Sequence, residues 1–142
     1  MVRLSQRLAR WFMFRSLDYL YVPARDIEPS IQYYTGVLRG ELLWKIHKLG
    51  AWVACVRLSQ TGPLVLLADH LEGTIPLFIY QVENLAQTAK ELKSRGWSPE
   101  TGPFEIPNGP CYTFRDPTGV RLAIYENKRT DVDERFKGQF DS

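Results

Sequence analysis

The sequence predicts an α+β fold made of two βαβββ modules within one domain. The chain has 142 residues, a length that suits a single domain with a sizeable core. Apolar residues make up 44% of the chain and charged residues 24%, which is close to the composition of ordinary globular proteins. The order of one strand, one helix and three strands then occurs twice. Because one such module cannot bury both faces of its sheet, we expect the two modules to pack as one unit.

The first module begins with an apolar and aromatic run from Leu17 to Ala24, which is typical of a strand. Asp26 is a candidate N-cap for a helix that ends at Gly36 or Gly40. The apolar residues on one face of that helix are Ile27, Ile31, Tyr34 and Leu38. Three β-rich runs separated by turn sequences complete the module: Glu41 to Lys48, Ala51 to Ser59 and Pro63 to Ala68.

The second module repeats this order. The continuous apolar run from Ile75 to Val82 is typical of a buried strand. Asn84 is a candidate N-cap for a second helix, which ends at Gly96. The apolar residues on one face of this helix are Leu85, Ala89 and Leu92. The last three strands are predicted around Pro99 to Ile106, Gly109 to Arg115 and Val120 to Glu126.

The charge and the cysteine content exclude several classes of protein. The formal net charge is only +2, and basic residues are scattered among acidic ones, which disfavours a nucleic-acid-binding face. The two cysteines, Cys55 and Cys111, are too few for a disulfide framework. We therefore expect a cytoplasmic protein with reduced thiols that does not bind nucleic acid.

The two ends of the chain differ from its middle. Residues 1–15 carry arginines beside apolar residues that share one helical face, which predicts an amphipathic extension. We expect this extension to pack on the domain or on a partner subunit, with a membrane surface as the alternative. It lacks the uninterrupted apolar stretch of a signal peptide. Residues 129–142 are rich in charge and are predicted to form a tail.

Three stretches of the sequence resemble the motifs of one family. Residues Leu20 to Glu28 are similar to its first strand and helix start, Tyr33 to Gly40 to its "FY-x-x-VLG" helix end, and Phe114 to Gly119 to its "F-x-DPDG" turn. The family is the vicinal oxygen chelate superfamily, which includes glyoxalase I, extradiol dioxygenases, fosfomycin-resistance enzymes and bleomycin-binding proteins. The resemblance implies that residues 16–128 form one glyoxalase-like domain, with modules at about 16–70 and 75–127 and a cupped mixed sheet.

In metal-dependent members of this family, four inward-facing strand positions supply histidine, glutamate or glutamine ligands. The resemblance places these positions at Tyr19, at or near Leu66, at Leu77 and at Ala123. Leucine and alanine side chains have no lone pairs to donate, and a tyrosine phenol stays protonated at neutral pH. We therefore expect no catalytic metal and no cofactor.

The resemblance also implies which strand residues line the cup, because side chains on a strand alternate between its two faces. An aromatic wall with few polar groups, one of them the cation of Arg121, suits a flat or extended organic molecule that is aromatic or anionic. The predicted ligand-binding residues are Tyr19, Tyr21, Trp44, Trp52, Leu77, Ile79, Arg121, Ala123 and Tyr125.

The sequence leaves three functions open. The first is a binding protein that holds a small organic molecule without a metal, as bleomycin-binding relatives do. The second is a lyase, isomerase or dioxygenase-like enzyme that uses side chains such as Tyr19, Arg121 or His70, or a metal at an unexpected place such as Asp69, His70 and Glu72. The third is a structural or interaction domain. We favour the first and expect a homodimer, because two chains of this family often complete each other's sheet.

Overall fold

A computed structural model describes residues 12–48 and 50–142. Within these residues the strands are β1 (Ser16–Pro23), β2 (Glu41–Lys48), β3 (Ala51–Arg57), β4 (Leu64–Ala68), β5 (Leu77–Val82), β6 (Thr101–Ile106), β7 (Gly109–Arg115) and β8 (Arg121–Glu126). They form one mixed sheet in the order β2-β3-β4-β1-β5-β8-β7-β6.

The α-helices of the same residues are α1 (Ile27–Gln32), α2 (Leu85–Ser94) and α3 (Val132–Phe136), and α1 continues as a π-helical turn over Tyr33–Val37. The side chain of Asn84 caps α2 by accepting a hydrogen bond of 3.0 Å from the backbone N–H of Gln87, as the sequence predicts. Asp26 precedes α1 in an extended conformation, but its side chain accepts no capping hydrogen bond from the described residues. The predicted start of α1 is therefore confirmed without the predicted capping contact.

The two predicted modules meet at the centre of the sheet. Their first strands, β1 and β5, pair antiparallel. Each of these strands also pairs parallel with the last strand of its own module, β1 with β4 and β5 with β8. All other neighbouring strands are antiparallel. This mixed sheet confirms the predicted α+β fold class and the repeated order of elements.

The sheet has one face covered by helices and one face that surrounds a cavity. On the first face, Ile27 and Ile31 of α1 pack on residues of β3 and β4, while Leu85 and Ala89 of α2 pack on residues of β7 and β8. On the second face, residues from the two edge strands, β2 and β6, line the same cavity. The sheet must therefore curve into a cup.

A β-bulge interrupts β1 and another interrupts β2. The register of β1 against β5 shifts between Leu17 and Tyr19, and the register of β2 against β3 shifts between Leu42 and Trp44. A bulge inserts one extra residue, so that strict alternation between the two faces fails locally. Asp18, the residue between the first pair, consequently turns toward the same side of the sheet as Tyr19, where it accepts a hydrogen bond from Tyr125.

The C-terminal segment is not the charged tail that the sequence predicts. Val132 and Phe136 are only 2% and 9% exposed, and they pack against Trp44 and its neighbours on β2 and β3. Residues 138–141 then run along the free edge of β2, where the backbone N–H of Lys45 donates to the carbonyl of Gln139 at 2.8 Å. The apolar pair of Val132 and Phe136, spaced four residues apart, is the sequence signal for this helix among charged neighbours.

The predicted N-terminal extension lies mostly outside the described residues, because only residues 12–15 of it are described. Within this short part, the ring of Phe14 packs against the ring of Tyr80 at a centroid distance of 5.2 Å. Neither in residues 12–48 nor in residues 50–142 is any helix long and apolar enough to cross a membrane.

Candidate functional site

The concave face of the sheet encloses a cavity of about 720 Å³, large enough for a drug-sized organic molecule. Strands from both modules contribute to its wall, and most of its lining is apolar. Helix α3 closes one side with Val132 and Phe136, and the turn between β6 and β7 closes another with Pro107 and Asn108. The cavity is therefore built by the predicted sheet and by a C-terminal segment that the sequence analysis did not include in the domain.

Six of the nine predicted ligand-binding residues line this cavity. They come from β1, β2, β5 and β8, and they are Tyr19, Tyr21, Trp44, Leu77, Ile79 and Ala123. The register explains why they converge: Tyr19 lies opposite Ile79, and Ile79 lies opposite Ala123. Residues at the same level of neighbouring strands face the same side of a sheet, so the central strands form the floor of the cup.

Trp52 does not line the cavity, contrary to the sequence prediction. It pairs with His47 across the hairpin of β2 and β3. His47 is separated from Trp44 by an odd number of positions on β2, so His47 and Trp52 face the opposite side of the sheet from Trp44. The ring of Trp52 stacks on the imidazole of His47 at 4.5 Å. The ammonium group of Lys45 lies 5.3 Å from the same ring. Alternation along β3 sends Ala51 and Val53 to the cavity and Trp52 to the helix-covered face.

Arg121 and Tyr125 face the concave side but do not reach the cavity. Arg121 lies toward one end of the sheet, where its Nε donates to the carboxylate of Glu100 at 3.1 Å. Tyr125 is only 1% exposed and packs beneath Tyr19, and its hydroxyl donates to Asp18 at 2.5 Å. Arg121 is held by an ion pair, and Tyr125 belongs to the core below the cavity floor.

The four positions that correspond to metal ligands in the resembled family all line the cavity. They hold Tyr19, Leu66, Leu77 and Ala123, of which three have side chains without any donor atom. Among the described residues, no group of three His, Cys, Asp or Glu side chains lies close enough to hold a metal ion, and this includes Asp69, His70 and Glu72. The donor set therefore does not fit a divalent cation at the centre of the cup.

Two pairs of polar side chains stand in this apolar wall. The buried amide of Asn108 donates to the hydroxyl of Tyr19 at 3.3 Å, so that the β6–β7 turn is tied to β1. The hydroxyl of Tyr21 lies 3.4 Å from Nε2 of His70, and their rings meet edge to face. Gly109 permits this position of the turn, because a Cβ atom there would lie 2.1 Å from the carbonyl oxygen of Glu126.

Two ionisable groups of the wall remain protonated at neutral pH. Burial raises the pKa of the Cys111 thiol to about 12 and also raises the pKa of the Tyr21 phenol to about 12. A thiol in this state is not a nucleophile, and a phenol in this state donates a hydrogen bond rather than accepting a proton. Tyr21 is therefore a hydrogen-bond donor at the cavity wall.

These pKa shifts predict a loss of stability in alkaline solution. In the unfolded chain the thiol and the phenol ionise near 9.0 and 10.0, whereas the folded protein keeps both protons to about pH 12. Each contribution to the free energy of unfolding is therefore complete below the unfolded pKa and is lost as the pH rises toward the folded pKa, with a slope of at most about 1.4 kcal/mol per pH unit and group. Urea titrations from about pH 8 to about pH 11 measure this slope, and we expect it to be shallower in Cys111→Ala. Equal slopes in the two proteins would contradict the buried thiol.

A second cavity lies beside the first and shares His70 with it. It is lined by the loop between β4 and β5, which includes Glu72, and by Arg115 and Arg121. The Nε groups of both arginines donate to the carboxylate of Glu100, and these arginines lower the pKa of that carboxyl group. The positive charges at this second cavity are thus matched by carboxylates.

Several residues of the main cavity were missed by the sequence analysis. Most are apolar, and their signal is the alternation from Trp44 through Ile46 to Lys48 on β2 and from Ala51 to Val53 on β3. Other missed residues lie in a turn or in the C-terminal segment, and they include Asn108, Val132 and Phe136, whereas His70 was considered only for an enzymatic function. Their positions depend on where loops fold back over the sheet, which periodicity along the chain does not report.

Comparisons with known proteins agree with this architecture. The model of the Glyoxalase/Bleomycin resistance protein/Dioxygenase superfamily matches residues 16–124. The structure of methylmalonyl-CoA epimerase from Mycobacterium tuberculosis is similar with a TM-score of 0.69 and 17% identity, covering 87% of this chain and 95% of the other. A hypothetical protein from Bacillus halodurans is similar with a TM-score of 0.64 and 16% identity over 80% and 95%.

A third similar structure is a variant of methylmalonyl-CoA epimerase from Streptomyces coelicolor in complex with 2-nitronate-propionyl-CoA. Its TM-score is 0.65 and its identity 12%, over 81% of this chain and 99% of the other. At these identities the structural likeness shows the fold alone. No curated protein sequence matches the chain. The family model, in contrast, spans most of the sequence. The chain therefore belongs to the glyoxalase/bleomycin resistance protein/dioxygenase superfamily.

Proposed function

We propose that this protein binds a small organic molecule, aromatic or anionic, in the cup and does so without a catalytic metal. The proposal rests on the types of residue at the four positions that correspond to metal ligands in the resembled family. Leu66, Leu77 and Ala123 place carbon atoms where metal-dependent relatives place donor atoms, and they do so within a cavity of about 720 Å³. An apolar floor favours burial of an apolar or aromatic ligand rather than coordination of an ion.

The indole of Trp44 contributes to the apolar wall of the cavity. Trp44 lines the cavity, and its ring N–H is buried without a hydrogen-bond partner among the described residues. Leaving a buried donor unpaired costs about 1–3 kcal/mol, so native proteins rarely do so. Because this N–H is also shielded from the cavity, Trp44 offers a ligand the apolar surface of its ring rather than a hydrogen-bond donor.

A thermal-shift experiment with naphthyl compounds tests the proposal. We expect naphthyl ethanol, a neutral probe with the size of a flat metabolite, to raise the melting temperature, because it binds only the folded state. Ala51→Trp places an indole in the cavity and should abolish the shift, since Ala51 is a half-buried lining residue. Ala86→Trp is the matched control, because Ala86 is exposed on α2, away from the cavity lining.

Two results would contradict the proposal. One is a stoichiometric divalent ion in elemental analysis of the purified protein. The other is the absence of any shift with naphthyl probes of each charge. The homodimer and the cytoplasmic location expected from the sequence stay predictions.

An enzymatic function is the second candidate, and the pair of Tyr21 and His70 favours it. Their polar atoms lie 3.4 Å apart at the cavity wall, where an imidazole can move a proton to or from a bound molecule. Proton exchange between D₂O and carbon acids, followed by NMR, distinguishes this function from binding alone. Catalysed exchange that disappears in His70→Gln supports an enzyme of the lyase or isomerase type.

A further inference from the structure

We infer that the ligand of the cavity carries a negatively charged group, and that Lys48, His70 and Tyr21 hold this group at one end of the cup. The inference rests on the proposed function and specifies the charge of the ligand and its orientation. It replaces Arg121, which the sequence analysis had selected for this role, by residues that line the cavity.

The charges of the lining have one sign. Lys48 and His70 are the basic side chains of the wall, and no Asp or Glu lines it among the described residues. Apolar walls raise the strength of an electrostatic interaction, because they lower the local dielectric constant below that of water. The cavity therefore favours an anion over a cation of the same shape.

The two basic side chains of the wall, Lys48 and His70, come from the same end of the sheet. Lys48 pairs with Ala51 at the β2–β3 hairpin. Asp69 is fixed beside Trp52, because it exchanges two hydrogen bonds with the backbone of that residue, at 3.0 and 3.2 Å. His70 consequently emerges next to Ala51, at the same end as Lys48.

Tyr21 completes the group of donors. Its hydroxyl is 3.4 Å from Nε2 of His70, and its raised pKa keeps the phenolic proton in place. An imidazole retains a ring N–H in either protonation state, and an ammonium group has three donors. A carboxylate or a phosphate is the acceptor that such a set recognises, through charge-assisted hydrogen bonds.

The carboxylates near this end are engaged with other groups. Asp69 accepts the backbone N–H of Trp52. Asp141 accepts the backbone N–H of His47 at 3.0 Å, and the charge of Lys48 contributes to the lowered pKa of this carboxyl group. Neither carboxylate lines the cavity. They reduce the positive potential at this end without supplying a negative group to the wall.

The neighbouring cavity does not offer the same selectivity. Its two arginines share the carboxylate of Glu100, and Glu72 lies in its lining. Both guanidinium groups already donate to that carboxylate, which reduces what they offer to a bound anion. The arrangement of charge thus favours the main cavity as the place of the anionic group.

Isothermal titration with matched naphthyl probes tests the inference. Naphthaleneacetate, naphthyl ethanol and naphthyl ethylamine share an aromatic body and differ in charge, and naphthyl phosphate distinguishes a phosphate from a carboxylate. We expect the acetate to bind about tenfold more tightly than the alcohol, and the amine to bind most weakly. In the double variant Lys48→Gln/His70→Gln, the affinity for the acetate should fall about tenfold, whereas the affinity for the alcohol should fall much less, because a neutral hydroxyl gains no ion-pair attraction from these side chains.

Two further variants separate the possible outcomes. Lys90→Gln removes an exposed charge on α2 and should leave all affinities unchanged. A loss of acetate binding in Arg121→Gln, but not in the double variant, would overturn the inference by placing the anion in the second cavity. Equal affinity for the three probes overturns the charge preference and leaves the proposed function standing, whereas no binding of any probe overturns both.

Discussion

Replacement of Phe136 by alanine is expected to lower the free energy of unfolding by about 3 kcal/mol, at the lower end of the range for buried Phe→Ala substitutions. Phe136 is only 9% exposed, and its ring contacts Trp44 at a centroid distance of 5.5 Å. The ammonium group of Lys48 lies 5.6 Å from the same ring. The substitution removes these contacts and enlarges the cavity that the ring helps to close. Equilibrium unfolding in urea measures the change.

Phe140 is the matched control for this variant. It belongs to the same C-terminal segment but is 55% exposed, so Phe140→Ala should change the free energy of unfolding by no more than about 0.5 kcal/mol. If both variants were equally stable, α3 would not be packed on the sheet as described. The C-terminal segment would then be the tail that the sequence predicts.

The second large effect is expected at Asp18, which joins the two modules below the cavity floor. Its carboxylate accepts hydrogen bonds from Ser16 of β1 at 2.6 Å, from Gln81 of β5 at 2.7 Å and from Tyr125 of β8 at 2.5 Å. Hydrogen bonds to a charged group contribute about 1.5–3 kcal/mol each where they are buried. We expect Asp18→Ala to destabilise the protein by about 2–3 kcal/mol, because the contact with Ser16 is exposed and the other two hydrogen bonds are only partly buried.

A double-mutant cycle with Tyr125→Phe measures the part of this effect that belongs to one hydrogen bond. The sum of the losses in the two single variants should exceed the loss in the double variant, because both substitutions remove the same contact. Ser16→Ala serves as the control, with an expected change within about 0.5 kcal/mol. Strictly additive losses would show that Asp18 and Tyr125 do not interact in solution.

The central strands of the fold could be predicted because their apolar runs are continuous and are bounded by strong turn sequences. The run around Leu77 and the turn from Asp116 to Gly119 leave few alternatives for β5 and β8. The predicted side of the sheet was correct for residues that alternate strictly along one strand. It was wrong where it depended on the register between two strands. Trp52 is the example: its face depends on its register against β2, which the sequence of β3 alone does not define.

The remaining errors concern contacts between residues that are far apart in the sequence, which no local pattern of residues reports. Arg121 has the predicted orientation, but its partner Glu100 comes from the segment before β6, and only the folded structure brings the two together. The same holds for Phe136, whose burial requires β2 to be within reach. Asp18 shows a third limit, because a bulge changes the face of one residue without changing any periodic pattern.

A crystal structure of the protein grown with naphthaleneacetate, with anomalous scattering data from the same crystals, tests the central claim most directly. We predict density for the naphthyl ring against Leu77 and Ala123, with the carboxylate directed toward His70 and no anomalous peak among these side chains. A divalent ion at the centre of the cup, coordinated from the strands that carry Tyr19, Leu77 and Ala123, would contradict the claim.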